Sequence, residues 1–210
     1  IYVLDKIPDY EPNKETSLGS KAKKLNREIN DYIYDILLEE DGNSLLYYPI
    51  GNYLDYSLEA SLEMISSEHT LLGLGDGGAH CATICDASFT THMLTFWGRD
   101  RTRGKKLDLP WIIKSYTRDN ALAIGLKDRG LIKEGMKADI NIIDFDNLTL
   151  YSPEIRYDLP AEGKRLVQRV DGYKYTIVSG KVTYVDGVST GELPGSCLLY
   201  TSPSPRDLAQ

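Results

Sequence analysis

The spacing of apolar residues changes once along this chain, near residue 130, and this change limits the folds that it can adopt. Before it, apolar residues recur every three or four positions, which predicts helices with one buried face. The clearest such series is Leu18, Ala22, Leu25, Ile29, Ile33 and Ile36. After it, apolar and polar residues alternate over residues 138–144 and 173–178, which predicts strands. We therefore predict a mixed α/β fold.

Helices and strands alternate in the first part. A helix capped by Thr16 or Ser17 is predicted to run to about Glu40, and a strand follows over residues 44–50. A second amphipathic helix then precedes a strand over residues 70–75. The apolar side chains of that helix are Leu54, Leu58, Leu62 and Ile65. This alternation is typical of βα units, so we predict a parallel sheet.

Two further helices and a hairpin complete the prediction. One helix covers about residues 88–97, and another starts from a cap at Asp108 with Pro110 in its first turn. Near the end of the second part, only Ser179 and Gly180 separate two alternating runs, which predicts a two-residue hairpin. The second part is therefore predicted to be a small β layer.

Composition argues against several kinds of partner. The formal net charge of −7 over 210 residues disfavours nucleic acid, since phosphate contacts need a basic field. No apolar run is long enough to cross a bilayer, so a membrane is not an expected partner. Three cysteines do not suggest a disulfide framework, and we expect a cytoplasmic protein. The oligomeric state is left open.

The end of the chain has an unusual sequence. From Cys197 to Asp207 it reads as a translation of the transposase mosaic-end adapter used in sequencing libraries. Its Ser-Pro-Ser-Pro stretch favours extended, solvated chain. We interpret residues 196–210 as an adapter-like, non-native tail and exclude them from the fold prediction.

A glycine-rich segment holds the first candidate for catalysis. Residues 70–80 read TLLGLGDGGAH, an apolar run followed by Asp76 and His80 in a tight turn. In α/β barrels the chemistry occurs where such strands end, at the C-terminal face. Asp76 is therefore a candidate catalytic residue. The alternative is a strand that ends in an ordinary Asp-Gly turn.

Several motifs together resemble one known family. They are the stretch GLKDRGLIKEGMKADINIID at residues 125–144, the hairpin VSGKVTYVDG at 178–187, GDGGAH at 75–80 and WGRDR at 97–101. In their order and spacing they resemble the amidohydrolase superfamily, and within it the D-aminoacylase branch, which deacylates N-acyl-D-amino acids. The resemblance covers nearly all of residues 1–195.

The resemblance implies a fold and a division into domains. Residues 1–130 are expected to be the C-terminal portion of a TIM-type (β/α)8 barrel, about strands 7 and 8 with their flanking helices. Residues 131–195 are expected to supply strands of a small β-sandwich, and 196–210 are the tail. The chain is accordingly expected to be a C-terminal fragment.

The resemblance also implies a zinc-dependent reaction on a small-molecule N-acyl amino acid. Asp76 matches the family carboxylate that serves the metal centre, as general base, proton shuttle and a possible metal ligand. Bound zinc acidifies a water and polarises the amide carbonyl, and a carboxylate then carries the proton to the leaving nitrogen. His69, His80 and His92 match none of the family's other ligand positions, so those ligands are absent from this chain. The chain alone is expected to be inactive.

The remaining candidates each have a plainer alternative. His80 is expected to be a hydrogen-bond partner behind the site, or simply to hold the turn. Arg99 and Arg101 suit a substrate carboxylate, above all in N-acyl-D-aspartate or N-acyl-D-glutamate. Their alternative is a solvated loop paired with nearby aspartates. Tyr53 either lines the pocket or packs among neighbouring tyrosines.

Two other functions remain open from the sequence. One is a cyclic-amide hydrolase of the dihydroorotase or hydantoinase type, which shares the sandwich motifs. The other is a metal-free, non-catalytic relative that keeps the barrel for binding or assembly. The histidine content of the sequence upstream of Ile1 would discriminate among the three functions.

Overall fold

The computed structural model describes residues 1–53, 55–73, 81–83, 85 and 87–196. Asp76 and His80 lie outside the described residues, and so does the end of the strand predicted at 70–75. The tail from residue 197 onward also lies outside them.

Short helices dominate the first part of the chain. They are α1 (Leu18–Lys24), α2 (Ile29–Gly42), α3 (Glu59–Ser66), α4 (Phe89–His92), α5 (Leu109–Lys114) and α6 (Asn120–Ala123). A π-helical stretch, Met93–Asp100, extends α4, and another, Ser115–Asp119, joins α5 to α6. No helix in the described part of the chain is both long and apolar enough to cross a bilayer.

The described strands form antiparallel pairs. They are β1 (Tyr2–Val3), β2 (Leu46–Tyr47), β3 (Ile140–Ile143), β4 (Thr149–Leu159), β5 (Gly163–Asp171), β6 (Tyr173–Val178), β7 (Lys181–Val185) and β8 (Val188–Ser189). One sheet has the order β3-β6-β7-β8, and β1-β2 and β4-β5 form two-stranded sheets. The mixed α/β class predicted from the sequence is confirmed.

The first predicted helix is interrupted. Its cap is confirmed, because the Ser17 side chain accepts a hydrogen bond from the Ser20 backbone N–H at 3.2 Å. The prediction of one helix as far as Glu40 is wrong, since α1 ends at Lys24. Asn26 adopts a positive φ of 52°, which asparagine tolerates better than most residues. Glu28 then caps α2 by accepting from two backbone N–H groups.

No parallel pairing occurs among the described strands, contrary to the prediction. The strand expected at 44–50 shortens to β2, and its partner is β1, which runs in the opposite direction. Residues 70–73, the described part of the next predicted strand, are not in a strand. There the Leu72 carbonyl accepts a hydrogen bond from Asn120 Nδ2 at 2.8 Å. The Leu72 carbonyl therefore bonds to a side-chain amide and not to the backbone of a neighbouring strand.

Two local predictions in the second half of the fold are confirmed. Helix α5 starts after Asp108 with Pro110 in its first turn, although the Asp108 side chain makes no capping hydrogen bond. Ser179 and Gly180 form the turn between β6 and β7, with φ of 50° and 79°. A two-residue hairpin turn needs positive φ at both positions, and glycine meets that need at no steric cost.

The longest β element was not predicted. Strands β4 and β5 form a hairpin, which we call the hairpin arm (residues 149–171). The prolines at 153 and 160 argue against a strand by the usual sequence rules. Cross-strand side-chain pairs stabilise the hairpin arm despite these prolines. In one of them, Arg165 donates two hydrogen bonds to the Asp158 carboxylate, each 2.7 Å long.

Among the described residues, an apolar core connects the helices to the strands. Ile112 and Leu148 are completely buried in it. Its other buried members are Leu62, Leu72, Met93, Leu94 and Trp97, and Ile143, Phe145, Val170 and Tyr173 pack against them. The core therefore includes residues on both sides of position 130.

Candidate functional site

The chain is held by contacts on both sides of the positions of Asp76 and His80 in sequence. On one side, Leu72 is buried in the core and its carbonyl is bonded to Asn120. On the other side, the Cys81 carbonyl accepts a hydrogen bond from the Leu166 N–H on β5 at 2.7 Å. Asp76 and His80 lie between these two points in sequence, outside the described residues, so their roles stay predictions.

A second contact on β5 holds the chain that follows. The Gln168 side chain accepts a hydrogen bond from Ser88 Oγ. Its Nε2 donates to Tyr10 Oη at 3.0 Å and to the Tyr151 carbonyl at 2.6 Å. We call these four residues the amide hub. The hub joins both strands of the hairpin arm to the N-terminal segment and to the residue preceding α4.

Arg101 lies in a buried group of charges, not at a surface. Its Nε and Nη2 donate to the two carboxylate oxygens of Glu11, each at 2.9 Å. Nη2 also contacts Glu59 at 2.9 Å, and Nη1 donates to the Lys105 carbonyl. The guanidinium carbon lies 4.7 Å from the centre of the Trp97 ring. The Arg101 side chain has no exposed surface.

Glu11, Tyr53, Glu59, Arg101 and Arg103 together form what we call the glutamate cluster. Burial by itself would raise the pKa of Glu11, but hydrogen bonds from Arg101 and from the Leu58 N–H outweigh it, so the pKa is lowered. Glu11 is therefore a carboxylate near neutral pH. Sequence reasoning missed this residue, because 90 positions separate it from Arg101.

Tyr53 belongs to the same cluster. Its hydroxyl donates to the Pro12 carbonyl and lies 3.4 Å from Arg103 Nη1. Burial raises the pKa of Tyr53 to about 12, so the hydroxyl stays protonated. Its ring meets the Tyr56 ring at 6.4 Å. Tyr53 and Arg101 therefore lie in the same cluster, and each is already hydrogen-bonded to other residues of this chain.

Arg99 lies apart from them and binds the turn before β4. The predicted pairing with a nearby aspartate is confirmed for Arg99, which donates two hydrogen bonds to Asp100 at 2.6 and 2.9 Å. Its other N–H groups donate to the carbonyls of Phe145, Asp146 and Leu148. All five guanidinium donors are therefore in use. Substrate binding by Arg99, Arg101 and Tyr53 stays a prediction.

The two described histidines differ in environment. His69 is exposed beside Glu68. His92 stacks on Phe96 with ring centres 4.9 Å apart and meets the edge of Tyr10 at 5.3 Å. Its Nε2 is buried and finds no hydrogen-bond partner among the described residues. Burial lowers the pKa of His92 from its usual 6.5 to about 4, so it is neutral at pH 7.

The described residues do not fit a zinc site. Across those ranges no group of three or more histidine, cysteine, aspartate or glutamate side chains is placed to hold a metal. Cys81 and Cys85 form no disulfide, and Cys81 is exposed.

Comparison with known families identifies this chain's relatives. The sequence matches the amidohydrolase family over residues 43–184, about two thirds of the chain. The chain belongs to the amidohydrolase family, and this membership indicates a hydrolase. The matched span includes the glycine-rich segment, Arg99, Arg101 and the hairpin arm. Searches of curated proteins and of solved structures found no match.

Proposed function

We propose that this chain is part of a metal-dependent hydrolase that cleaves the amide bond of N-acyl-D-amino acids. N-acyl-D-aspartate and N-acyl-D-glutamate are the first substrates to test. The observation that carries the proposal is the family match across the glycine-rich segment, which holds Asp76. Support comes from the contacts of the chain at Leu72 and Cys81, which precede and follow Asp76 in sequence. A catalytic carboxylate must be held in position by its surroundings.

Asp76 is proposed to move the proton in this reaction. Water attacks the amide carbonyl carbon, and the carboxylate takes the proton that the water loses. When the carbon–nitrogen bond breaks, the same carboxylate gives that proton to the nitrogen, which leaves as a neutral amine. Without this transfer the nitrogen would leave as an amide anion, a very poor leaving group. Zinc is the expected metal, with ligands from outside the described residues.

The proposed substrate contacts require an exchange of partners. A substrate carboxylate can replace Asp100 on Arg99, whose side chain is 27% exposed. The same exchange at Arg101 would strip a fully buried ion pair and is far more costly. Arg99 is therefore the favoured candidate of the two. Tyr53 would have to release the Pro12 carbonyl.

The finer fold belongs to the same proposal: part of a (β/α)8 barrel, with β3, β6, β7 and β8 as one sheet of a small β-sandwich. Residues opposite each other in antiparallel strands share a face. The register places seven apolar side chains on one face, namely Ile140, Ile142, Tyr175, Ile177, Val182, Val185 and Val188. Val188 is 70% and Ile142 is 47% exposed. A second sheet over this face would bury them.

One end of this sheet contacts the helical core, where Ile143 and Tyr173 pack. The register shifts between Ile142 and Ile143, so strict alternation does not hold there, and Ile143 pairs with Tyr173. Tyr173 is two residues from Tyr175 and therefore lies on the same face of β6. The proposed second sheet would cover the part of this face that the helical core leaves exposed, at Ile142 and Val188. The division at residue 130, the small-molecule partner and the cytoplasmic location stay predictions.

An assay of amide hydrolysis tests the proposal. The 210-residue chain and the protein extended by its upstream reading frame are purified with added zinc and given N-acetyl-D-aspartate, N-acetyl-D-glutamate, their L-enantiomers, dihydroorotate and hydantoin. We expect amine release from the D-substrates by the extended protein only. In that protein Asp76→Asn should lower kcat/KM by about 100- to 10,000-fold. The control, Asp55→Asn, changes an exposed aspartate and should leave turnover unchanged.

Each other outcome has a definite meaning. Normal turnover by Asp76→Asn would refute the proton-transfer role. Ring opening of dihydroorotate or hydantoin without amine release from the acyl substrates would indicate a cyclic-amide hydrolase. No turnover of any substrate by a folded, zinc-loaded extended protein would favour the non-catalytic relative.

A further inference from the structure

We propose that Gln168 is a positioning residue for the amide-hydrolysing site, acting through the chain that follows the glycine-rich segment. It touches no proposed substrate or metal contact. The inference rests on the proposed function and adds to it a residue from the hairpin arm, which sequence reasoning did not predict.

The first step of the argument is that β5 binds this chain at two points. Leu166 donates its backbone N–H to the Cys81 carbonyl at 2.7 Å, on the edge of β5 that faces away from β4. Two residues further along the strand, the Gln168 side chain accepts from Ser88 Oγ. These two contacts enclose residues 81–88. Asp76 precedes the first of them by only five residues.

The second step is that the Gln168 amide has one satisfied orientation. Its oxygen accepts from Ser88, and its nitrogen has two donors, which reach Tyr10 Oη and the Tyr151 carbonyl. Rotating the amide by half a turn would place its oxygen against the Tyr151 carbonyl, where neither atom can donate. The side chain therefore holds Ser88 in one direction.

The third step is that the groups behind Gln168 are themselves fixed. The Tyr10 ring meets the Tyr47 ring at 5.4 Å and the His92 ring at 5.3 Å, both edge to face. Strand β4 is bonded to the N-terminal segment through the Ser152 N–H and the Lys6 carbonyl at 3.0 Å. Gln168 thus connects a rigid support to the chain beyond the glycine-rich segment.

The expected effect on the reaction rate depends on the position of the carboxylate that carries the proton. A proton-carrying carboxylate must lie within hydrogen-bond reach of the water and later of the leaving nitrogen. A displacement of about 1 Å can cost about 100-fold in rate. Loss of the Gln168 contacts should therefore slow the chemical step more than it weakens substrate binding.

Hydrogen exchange on the 210-residue chain tests the contact without reference to activity. In Gln168→Leu and in Ser88→Ala we expect backbone exchange over residues 81–92 to rise by about tenfold, the loss of roughly one hydrogen bond. Exchange over 173–185 should stay unchanged. Lys164→Ala, an exposed change on the same strand, is the matched control and should alter neither region.

Kinetics on the active, extended protein tests the consequence. Gln168→Leu should lower kcat by about 10- to 100-fold with KM within about twofold. Gln168→Glu keeps an acceptor for Ser88 but places its second oxygen against the Tyr151 carbonyl, so it should not recover that loss. The double variant Ser88→Ala with Gln168→Leu should be no slower than Gln168→Leu alone, because both changes remove the same contact.

The results separate this inference from the proposed function. Unchanged exchange over 81–92 in both variants overturns the inference, and so does an equal rise over 81–92 and 173–185, which would mean a purely structural role. Faster exchange over 81–92 with unchanged kcat also overturns it. No turnover of any substrate by a folded, zinc-loaded extended protein would refute the proposed function, while the exchange result would still decide the contact. If Gln168→Leu does not fold, Ser88→Ala decides.

Discussion

Two of the contacts that bind the N-terminal segment to the rest of the chain differ in kind. The glutamate cluster joins Glu11 to Arg101 through charges, and neither side chain is more than 2% exposed. The amide hub joins Tyr10 to Gln168 through neutral groups. Both connect residues far apart in sequence, but the energetic result of losing one partner is not the same.

The glutamate cluster is suited to holding the fold. Removing one member of a buried ion pair leaves an uncompensated charge, which costs about 3–5 kcal/mol. The amide hub is suited to setting local geometry. Removing one of its neutral partners costs about 1–3 kcal/mol, so the chain can stay folded while residues 81–88 move. We therefore expect variants of the glutamate cluster to lose stability and variants of the amide hub to lose rate.

The largest effect is expected in the glutamate cluster. Arg101→Met should lower the free energy of unfolding by about 3–5 kcal/mol, since it leaves Glu11 buried and unpaired. Urea denaturation of the 210-residue chain measures this. Adding Glu11→Gln to Arg101→Met should recover most of the loss, because it removes the orphaned charge.

An exposed ion pair supplies the control for that experiment. Arg27 and Asp35 pair at 2.5 Å with side chains 38% and 56% exposed. Arg27→Met should cost less than about 1 kcal/mol. Similar losses from Arg101→Met and Arg27→Met would show that burial does not set the cost.

A smaller effect, visible in pH, is expected at His92 beside the amide hub. Its pKa is about 4 in the folded chain and near 6.5 in the unfolded chain. Between these values the unfolded state binds more protons, so stability falls as pH drops from 6.5 to about 4, by at most about 3 kcal/mol. Urea denaturation across this range should show a flatter pH dependence in His92→Phe.

The smallest effect is expected at the edge of the amide hub. Tyr10→Phe removes the hydroxyl that accepts from Gln168 Nε2 and should cost about 1 kcal/mol. Tyr34→Phe, at a tyrosine that is 63% exposed, is the control and should cost nothing measurable. A loss from Tyr10→Phe as large as that from Arg101→Met would remove the distinction between the two regions.

The catalytic candidate and its surroundings were predictable to different degrees. The order of motifs along the sequence was enough to indicate the family, which the match over residues 43–184 confirms. Nothing in that order indicated Gln168, because its partners come from three distant segments. For Arg101 the sequence predicts a substrate carboxylate or a nearby aspartate as partner, whereas the fold pairs it with Glu11.

The sequence by itself determined the features that depend on a few neighbouring residues. Ser17 begins α1, Pro110 lies in the first turn of α5, and Ser179 with Gly180 turns β6 into β7. Each depends on backbone sterics or on a hydrogen bond within a single turn, so a short stretch of sequence is sufficient.

The tertiary structure alone decided which distant segments meet. It gave β2 an antiparallel partner, replaced a predicted strand by a contact between Leu72 and Asn120, and buried His92 beside Tyr10. Burial, ion pairing and shifted pKa values depend on groups brought close from far along the chain. Their energies therefore belong to the packed fold and not to any local pattern.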